Sequence, residues 1–492
     1  MGAILESIAL AKREPVRFGT GGWRAIIGDG FTKENIRLLT AAVAQKMIDD
    51  DTDGYGFVIG YDRRFLSELA AKWAAEVMTG MGIRTKLINY EAPTPLIMFT
   101  VKDYRMHCGM AVTASHNPAE YNGIKLFMKG GRDADEVFTA EVEKYIDAIS
   151  ENPAEALKKP GIPSIPYDKA MRMGLVDEIN PMNQYVDSIL RSLNVDAIRS
   201  KNLKVVVDPM FGVSKTALQT VLMTARCTVD VINERRDALF GGRLPAPNVK
   251  TLSFLTSYVE EHNSDIGIAT DGDADRLGVI DDKCEFLHPN KILVILYHYL
   301  LKTKGWHGPC VRNIATTHML DRIAAKFGEA CYEVPVGFKY ISSKMAETNS
   351  VIGGESSGGL TVRGHIQGKD GIYAAALLVE MIAVTGRKLS EIYKDIESEF
   401  GSFEMEESNL SFSVERKAQV MNTLLEEKLL PDFPLEIEKV SYMDGCKVYF
   451  KNGGWIIGRF SGTEPLMRIF CEMPTMQEAR AMIKVMKDFL GF

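Results

Sequence analysis

Short apolar runs alternate with longer amphipathic stretches over most of this chain. Phe57 to Tyr61 reads as a strand, Phe65 to about Met81 as a helix, and Thr85 to Ile88 as a second strand. That succession predicts a βαβ unit. Cys108 to Val112 is another continuous apolar run and predicts a buried strand. A proline-bearing stretch, Asn152 to Pro166, predicts a first boundary. A second unit starts at the run Leu203 to Asp208, continues in a helix after Gly212, and includes strands at Asp265 to Ala269 and Leu277 to Ile280. Pro289 opens a third unit with a helix at 291–302, a strand at 310–314, a helix at 318–328 and an amphipathic run at 373–385.

Beyond an acidic stretch at Glu397 to Ser402, which predicts a hinge, the pattern changes. A helix at 413–428 precedes consecutive strands at 437–442, 446–450, 454–460 and 466–472, and then a last helix. This predicts a small α+β unit instead of another βαβ repeat. The expected division is 1–165, 166–285, 286–400 and 401–492. A chain of 492 residues is too long for one core, which agrees with several domains. No repeat is visible residue by residue.

Composition narrows the function classes. With 46% hydrophobic and 25% charged residues the chain reads as an ordinary globular protein. A net charge of −7 gives nucleic-acid binding no electrostatic support. No apolar run reaches membrane-spanning length. Glu6, Lys12, Arg13 and Glu14 break up any signal-peptide pattern, and seven scattered cysteines fit reduced thiols, so a cytoplasmic protein is expected. Neither the cysteines nor the eight histidines have zinc-site spacing.

Five loops carry the chemistry. Thr113-Ala114-Ser115-His116-Asn117-Pro118 follows the strand at 108–112. Strand C-terminal ends are where open α/β sheets place reacting groups, so Ser115 is a candidate nucleophile with His116 beside it; a polar turn is the alternative. Asp271-Gly272-Asp273-Ala274-Asp275-Arg276 sets three carboxylates at alternate positions, and Gly272 permits the backbone curl that would bring them together. Such crowding needs a cation, and hard oxygen ligands suit Mg²⁺ or Mn²⁺. An EF-hand is excluded by Arg276 where glycine is required, by Asp282 at the twelfth position, and by strand-like flanks.

Gly353-Gly354-Glu355-Ser356-Ser357-Gly358-Gly359 supplies an acid and hydroxyls suited to sugar hydroxyl groups. Arg459-Phe460-Ser461-Gly462-Thr463-Glu464-Pro465 offers a phosphate cradle of guanidinium, two hydroxyls and an unobstructed amide, with a plain hairpin turn as the alternative. Phe18-Gly19-Thr20-Gly21-Gly22-Trp23-Arg24 adds Arg24 as a second candidate phosphate ligand, with a mobile N-terminal arm as the alternative, and lacks the glycine spacing of a dinucleotide site.

Taken together and in this order, these segments resemble the α-D-phosphohexomutases, which include phosphoglucomutases, phosphomannomutases and phosphoglucosamine mutases. Asn122-Gly123-Ile124-Lys125, Val336-Gly337-Phe338-Lys339 and the run Gly364 to Gly371 extend the resemblance over essentially the whole chain. The resemblance implies an α/β fold: three related α/β domains with mixed sheets and a C-terminal α+β domain around a central cleft. It implies a phosphorylated Ser115 and one Mg²⁺ on Asp271, Asp273, Asp275 and that serine. Lys125, Lys369 and His116 stand as candidates for proton transfer. Substrate contacts are implied at Thr20, Arg24, Arg276, Lys339, Glu355, Ser357, His365, Arg459, Ser461, Gly462, Thr463 and Arg468.

The implied reaction exchanges hexose 1-phosphate and hexose 6-phosphate through a hexose 1,6-bisphosphate, which also serves as activator. The expected partners are sugar phosphates, with neither nucleic acid nor membrane, in a monomer or homodimer. Gly359, where dual-specificity relatives often carry histidine, leans toward glucose. Mannose, glucosamine and pentose phosphates stay open, as do a metal-dependent phosphatase and a non-catalytic sugar-phosphate binder.

Overall fold

In the computed structural model, residues 16–460 and 466–492 are described. Four sheets succeed one another along the chain. The first is mixed, with Phe57–Tyr61 parallel to both Cys108–Val112 and Thr85–Glu91, and Tyr121–Met128 antiparallel to Cys108–Val112. Its edge strands are Trp23–Ile26 and Val176–Ile179, so this sheet continues past the proline-bearing stretch and past residue 165. The second sheet places Ile266–Thr270 parallel to Lys204–Asp208 and antiparallel to Leu277–Ile280. The third places Ile352–Gly354 parallel to Cys310–Asn313 and antiparallel to Leu360–Val362. The fourth is wholly antiparallel.

The kinship of the first three units lies in topology. In each, a parallel strand hands the chain to an antiparallel neighbour at its C-terminal end. Those three connections, 113–120, 271–276 and 355–359, are the loops that carry Ser115, the three aspartates and Glu355. The fourth loop joins Trp455–Phe460 to Leu466–Met473. The same step in each sheet thus presents one polar loop where ligands bind in such folds.

The helix Gly371–Thr385 holds the units together. An amphipathic run is expected here from sequence, but every residue from Gly371 to Ala383 is buried. A helix that is apolar all round belongs inside, and this one packs against Lys215–Thr224 and Pro289–Lys302 in a core shared by the first three units. Its one charge, Glu380, accepts from Tyr299 Oη at 2.5 Å, Lys304 Nζ at 2.7 Å and the Asn194 amide at 2.8 Å. The acidic stretch expected to form a hinge is helical as far as Phe400, so only Gly401 to Phe403 link the last two units. The next strand, Glu404–Ser411, escapes a hydrophobic pattern because it is a polar edge strand.

The fourth sheet buries one face under the helices Val414–Met421 and Met476–Leu490. Its other face sets Tyr449, Trp455 and Ile457 on Ile314 and Ala315 of the third unit. Lys447, fully buried there, donates to Ile314 O at 2.6 Å, Glu333 Oε2 at 2.8 Å and His318 Nε2 at 3.0 Å. Glu333 also accepts from Arg312 at 2.5 Å and from Tyr449 Oη. Burial and the nearby Arg312 pull the Lys447 ammonium down to about 7. Removing the acid would leave buried Lys447 without its carboxylate, while Arg312 keeps Asp321 at 2.7 and 3.0 Å. Glu333→Ala is therefore expected to cost about 2–3 kcal/mol in urea denaturation followed by tryptophan fluorescence. Lys447→Met, which keeps the stem and leaves Glu333 its arginine, is expected to cost less.

Candidate active site

The strand Cys108–Val112 delivers Ser115 into a fully buried position with φ of +53°, a left-handed conformation that a non-glycine residue holds only under constraint. Arg64 supplies the constraint. Its guanidinium donates to four carbonyls of the loop: Ser115 at 2.7 Å, Asn117 at 2.6 Å, Pro118 at 2.7 Å and Tyr121 at 2.9 Å. Behind it Asp62 accepts from the Arg64 amide and from Thr113 Oγ1 at 2.6 Å, and Thr113 Oγ1 in turn accepts from the Ser115 amide at 2.9 Å.

Ser115 Oγ donates to Asp271 Oδ2 at 2.7 Å and lies 3.3 Å from His116 Nδ1. The serine and aspartate loops touch at Gly272. A Cβ there would lie 2.7 Å from Ser115 O, so only glycine permits the approach. The left-handed turn of the aspartate loop falls instead at Ala274, with φ of +64°. Gly272 is thus needed for proximity and not for the curl.

Asp271, Asp273 and Asp275 are buried, with ligand oxygens within 4.8 Å of one another. Lys125 bridges two of them, 2.6 Å from Asp273 Oδ2 and 2.6 Å from Asp275 Oδ2. Lys369 adds a bond to Asp275 at 2.9 Å, and Thr94 Oγ1 one to Asp273 at 2.7 Å. Asp271 accepts from the amides of Asp275 and Arg276 at 3.0 Å each. Burial first, then its two acidic neighbours, pushes the Asp271 carboxyl up to about 8. Burial opposes ionisation of Asp275 as well, but Lys125, Lys369 and Arg276 outweigh it and hold that group well below the carboxylate range.

Asp273 Oδ1 and Asp275 Oδ1 are buried without a hydrogen-bond partner. Orphaned carboxylate oxygens in an all-oxygen cluster fit a hard divalent cation. Mg²⁺ would be held by these aspartates together with Asp271.

Lys125 is buried, which disfavours its charge, yet Asp273 and Asp275 hold it protonated beyond the ordinary lysine range. In this geometry it donates and neutralises. His116 is the opposite case: burial, then Arg276 and Arg24, keep its ring neutral and able to accept a proton. Those two arginines set a positive field around the His116 ring. Arg24 donates to Asn117 Oδ1 at 2.7 Å, and burial, then the charge of Arg276, lowers it to about 10. Both guanidiniums keep a buried Nε without a partner.

In the loop 355–359, Glu355 Oε1 accepts from Asn313 Nδ2 and the Gly337 amide, each at 3.2 Å, and Ser357 Oγ lies 3.5 Å from Oε2. Lys339 pairs with Glu136 at 2.9 Å, and Thr20 lies close to Lys125 and Lys339 around one small cavity. Arg459 Nε donates to Asp444 Oδ2 at 2.8 Å, and its cross-strand neighbour is Arg468, which is exposed. Ser461, Gly462 and Thr463 lie outside the described residues.

His365 departs from expectation. Its Nε2 is taken up by Asp370 at 2.7 Å, and its ring sits between Tyr185 and Tyr373. Asp370 also caps the buried helix, accepting from the Ile372 and Tyr373 amides. The ring therefore supports a helix start. Gly359 also gains a second meaning: a Cβ there would lie 2.3 Å from Lys369 Cδ, so the glycine makes room for the lysine that reaches Asp275. Arg64, Asp62, Thr94 and Asn313 are the residues that motif reading passes over. Asp62 to Arg64 is a polar run just after the strand Phe57–Tyr61, the position that marks the other loops.

Comparison with known proteins agrees with this geometry. Residues 15–153 match the phosphoglucomutase/phosphomannomutase alpha/beta/alpha domain I, 183–284 match domain II and 288–400 match domain III. The chain belongs to the phosphoglucomutase/phosphomannomutase family, the phosphohexomutases, which are phosphate-transferring isomerases. A phosphoglucomutase/phosphomannomutase of Thermococcus kodakarensis is 29% identical over 95% of this chain and 97% of its own. A protein of Pyrococcus abyssi named probable phosphoglucosamine mutase is 30% identical over 96% and 98%. A Thermus thermophilus structure assigned as a phosphomannomutase superposes with a TM-score of 0.83 at 27% identity, covering 98% of this chain and all of its own. Among the described residues no helix is long and apolar enough to cross a membrane.

Two outcomes test the site. Arg64→Lys keeps the charge but cannot reach all four carbonyls; turnover of hexose phosphate is expected to fall roughly 100-fold, with KM changed less than about threefold. Mg²⁺ at about 100 times its Kd is expected to stabilise the protein by about 2.7 kcal/mol in thermal melts compared with chelator. Asp273→Asn is expected to lose that shift.

Proposed function

We propose that this protein exchanges phosphate between O1 and O6 of a hexose, with Ser115 as the phosphoryl carrier and glucose 1-phosphate as preferred substrate. The reading is carried by one observation: Ser115 Oγ lies 2.7 Å from Asp271 in a buried cluster whose Asp273 and Asp275 retain free oxygens.

In the first half-reaction a sugar hydroxyl oxygen attacks the phosphorus of phospho-Ser115. The Oγ–P bond breaks, and a hexose 1,6-bisphosphate forms. The sugar hydroxyl gives up its proton and the leaving Oγ takes one up as it becomes the Ser115 hydroxyl; neutral His116, 3.3 Å from Oγ, would serve the serine end of that exchange. After the bisphosphate turns over in the cleft, its other phosphate returns to Ser115, and the proton is given back to the sugar oxygen. A divalent cation on Asp271, Asp273 and Asp275 would offset charge on the transferring group. Arg24 and Arg276 suit the phosphate near Ser115, and Arg459 with its following loop suits the phosphate at the far end. Glu355 and Ser357 would accept from the equatorial hydroxyls, with Asn313 and the Gly337 amide orienting the acid.

The preference for glucose rests on Gly359, which presents no ring donor to the sugar. The name carried by several relatives favours a second reading, glucosamine phosphate. Both are tested by kcat/KM for glucose, mannose, glucosamine and ribose 1-phosphates, with Mg²⁺ and catalytic hexose 1,6-bisphosphate. Glucose is expected to be highest. A higher value for glucosamine selects the second reading, and release of phosphate without isomer points to a phosphatase. Ser115→Ala is expected to abolish isomerisation. Intact-mass analysis of the parent after exposure to the bisphosphate is expected to show one added phosphate on Ser115.

A further inference from the structure

We propose that Asp133 reads the sugar from the first unit, accepting hydrogen bonds from ring hydroxyls of the bound hexose phosphate. The proposal rests on the mutase reading above and adds to it a residue that belongs to none of the signature loops.

Asp133 lies in the two-residue strand Arg132–Asp133, which pairs with the end of the strand that carries Lys125. Its Oδ2 is buried, and no described residue donates a hydrogen bond to it. The carboxylate lines a cavity of about 30 Å³ together with Thr20, Gly21, Gly22, Lys125 and Lys339. That volume holds one water-sized group. The two lysines in the lining are committed elsewhere, Lys125 to Asp273 and Asp275, and Lys339 to Glu136. Asp133 as a residue is half-buried, so the orphan is this one oxygen, and a buried oxygen without a donor persists where a ligand supplies one.

The surroundings say which donor. Burial raises the Asp133 carboxyl, Lys369 and Lys125 lower it, and Asp275 and Glu355 raise it again. The group therefore feels charges of both the aspartate cluster and the Glu355 loop, and it shares its cavity with Lys125 and Lys339. A phosphate beside it would be repelled, so the ligand group is neutral or cationic. On a hexose phosphate that means a ring hydroxyl or an amino substituent, and we commit to the hydroxyl. Glu355 comes from the third unit and Asp133 from the first, which places one carboxylate on each of two walls of the cleft. The walls already meet: Lys339 pairs with Glu136, and a Cβ on Gly130 would lie 3.1 Å from Gln367 Oε1.

The test uses the full chain with Mg²⁺ in a Ser115→Ala background, so that ligands bind without turnover. Calorimetry measures Kd for glucose 6-phosphate, glucosamine 6-phosphate and inorganic phosphate, with and without Asp133→Asn and Asp133→Ala. Glucose 6-phosphate is expected to weaken roughly 10- to 100-fold in the alanine variant, the range for a hydrogen bond to a charged group. Inorganic phosphate, which has no ring hydroxyls, is expected to change less than about twofold. The ligand-free melting temperature is expected to stay level or rise in Asp133→Asn, because an unpaired buried charge is gone.

Unchanged affinity for glucose 6-phosphate, an equal loss for inorganic phosphate, or a lowered ligand-free melting temperature would overturn the proposal. So would a loss confined to glucosamine 6-phosphate, which would assign the carboxylate to an amino group. If the parent binds no sugar phosphate, the mutase reading fails and this proposal with it. If the parent binds and the Asp133 variants bind equally well, only this proposal fails.

Discussion

The structure depends on keeping three carboxylates buried within a few ångströms of one another. Lys125 makes this tolerable by standing 2.6 Å from both Asp273 and Asp275. The ammonium comes from the first unit, the aspartates from the second, and Lys369, the second cation, from the third. Neutralisation is therefore possible only when three units are in register, and a charge that must not be left alone becomes a constraint on their arrangement. Asp271 is the exception: it has a hydroxyl and two amides but no cation at hydrogen-bond distance. A divalent cation and a phosphate dianion arriving together would leave the net charge of the cluster unchanged.

Much of this was legible in the sequence, for a physical reason. Reacting groups sit on short loops after apolar strands, and such loops need glycine, proline and small polar residues that stand out against the core pattern. Ser115, the aspartates and Glu355 all fall in such places. What stayed hidden are groups that act at a distance along the chain. Arg64 grips the Ser115 loop, 51 residues away, by bonding to carbonyls, and carbonyls carry no sequence identity. His365 looks like a ligand residue in a glycine-rich run, but its partner, Asp370, is chosen by the buried helix start. The strand Glu404–Ser411 hides because an edge strand with acids on it has no alternation to betray it.

Glycine illustrates how a motif can be right while its reason differs. Gly272 is required, but because the Ser115 carbonyl lies against it and not because the chain curls there. A side chain at Gly359 would meet the stem of Lys369 and displace it from its present path. A residue that looks like a mark of sugar choice is then also a packing requirement of the charge cluster, and the two pressures on that position cannot be separated by sequence alone.

The fourth unit is held differently. It is joined by three residues of chain and by one sheet face, where Lys447 and Glu333 make a buried ionic contact. Such contacts fix orientation better than they add stability, because desolvation offsets most of the attraction. The orientation matters for the phosphate arginine. Arg459 donates to Asp444 Oδ2, which also accepts from the Val336 amide at 2.9 Å, and the next amide, Gly337, donates to Glu355. Two adjacent backbone amides thus tie Arg459 of the fourth unit to Glu355 of the third. A shift of the fourth unit that moved Asp444 would draw on the same turn that orients Glu355. Arg459 and Glu355 are accordingly positioned through one turn, and a displacement of either unit reaches both.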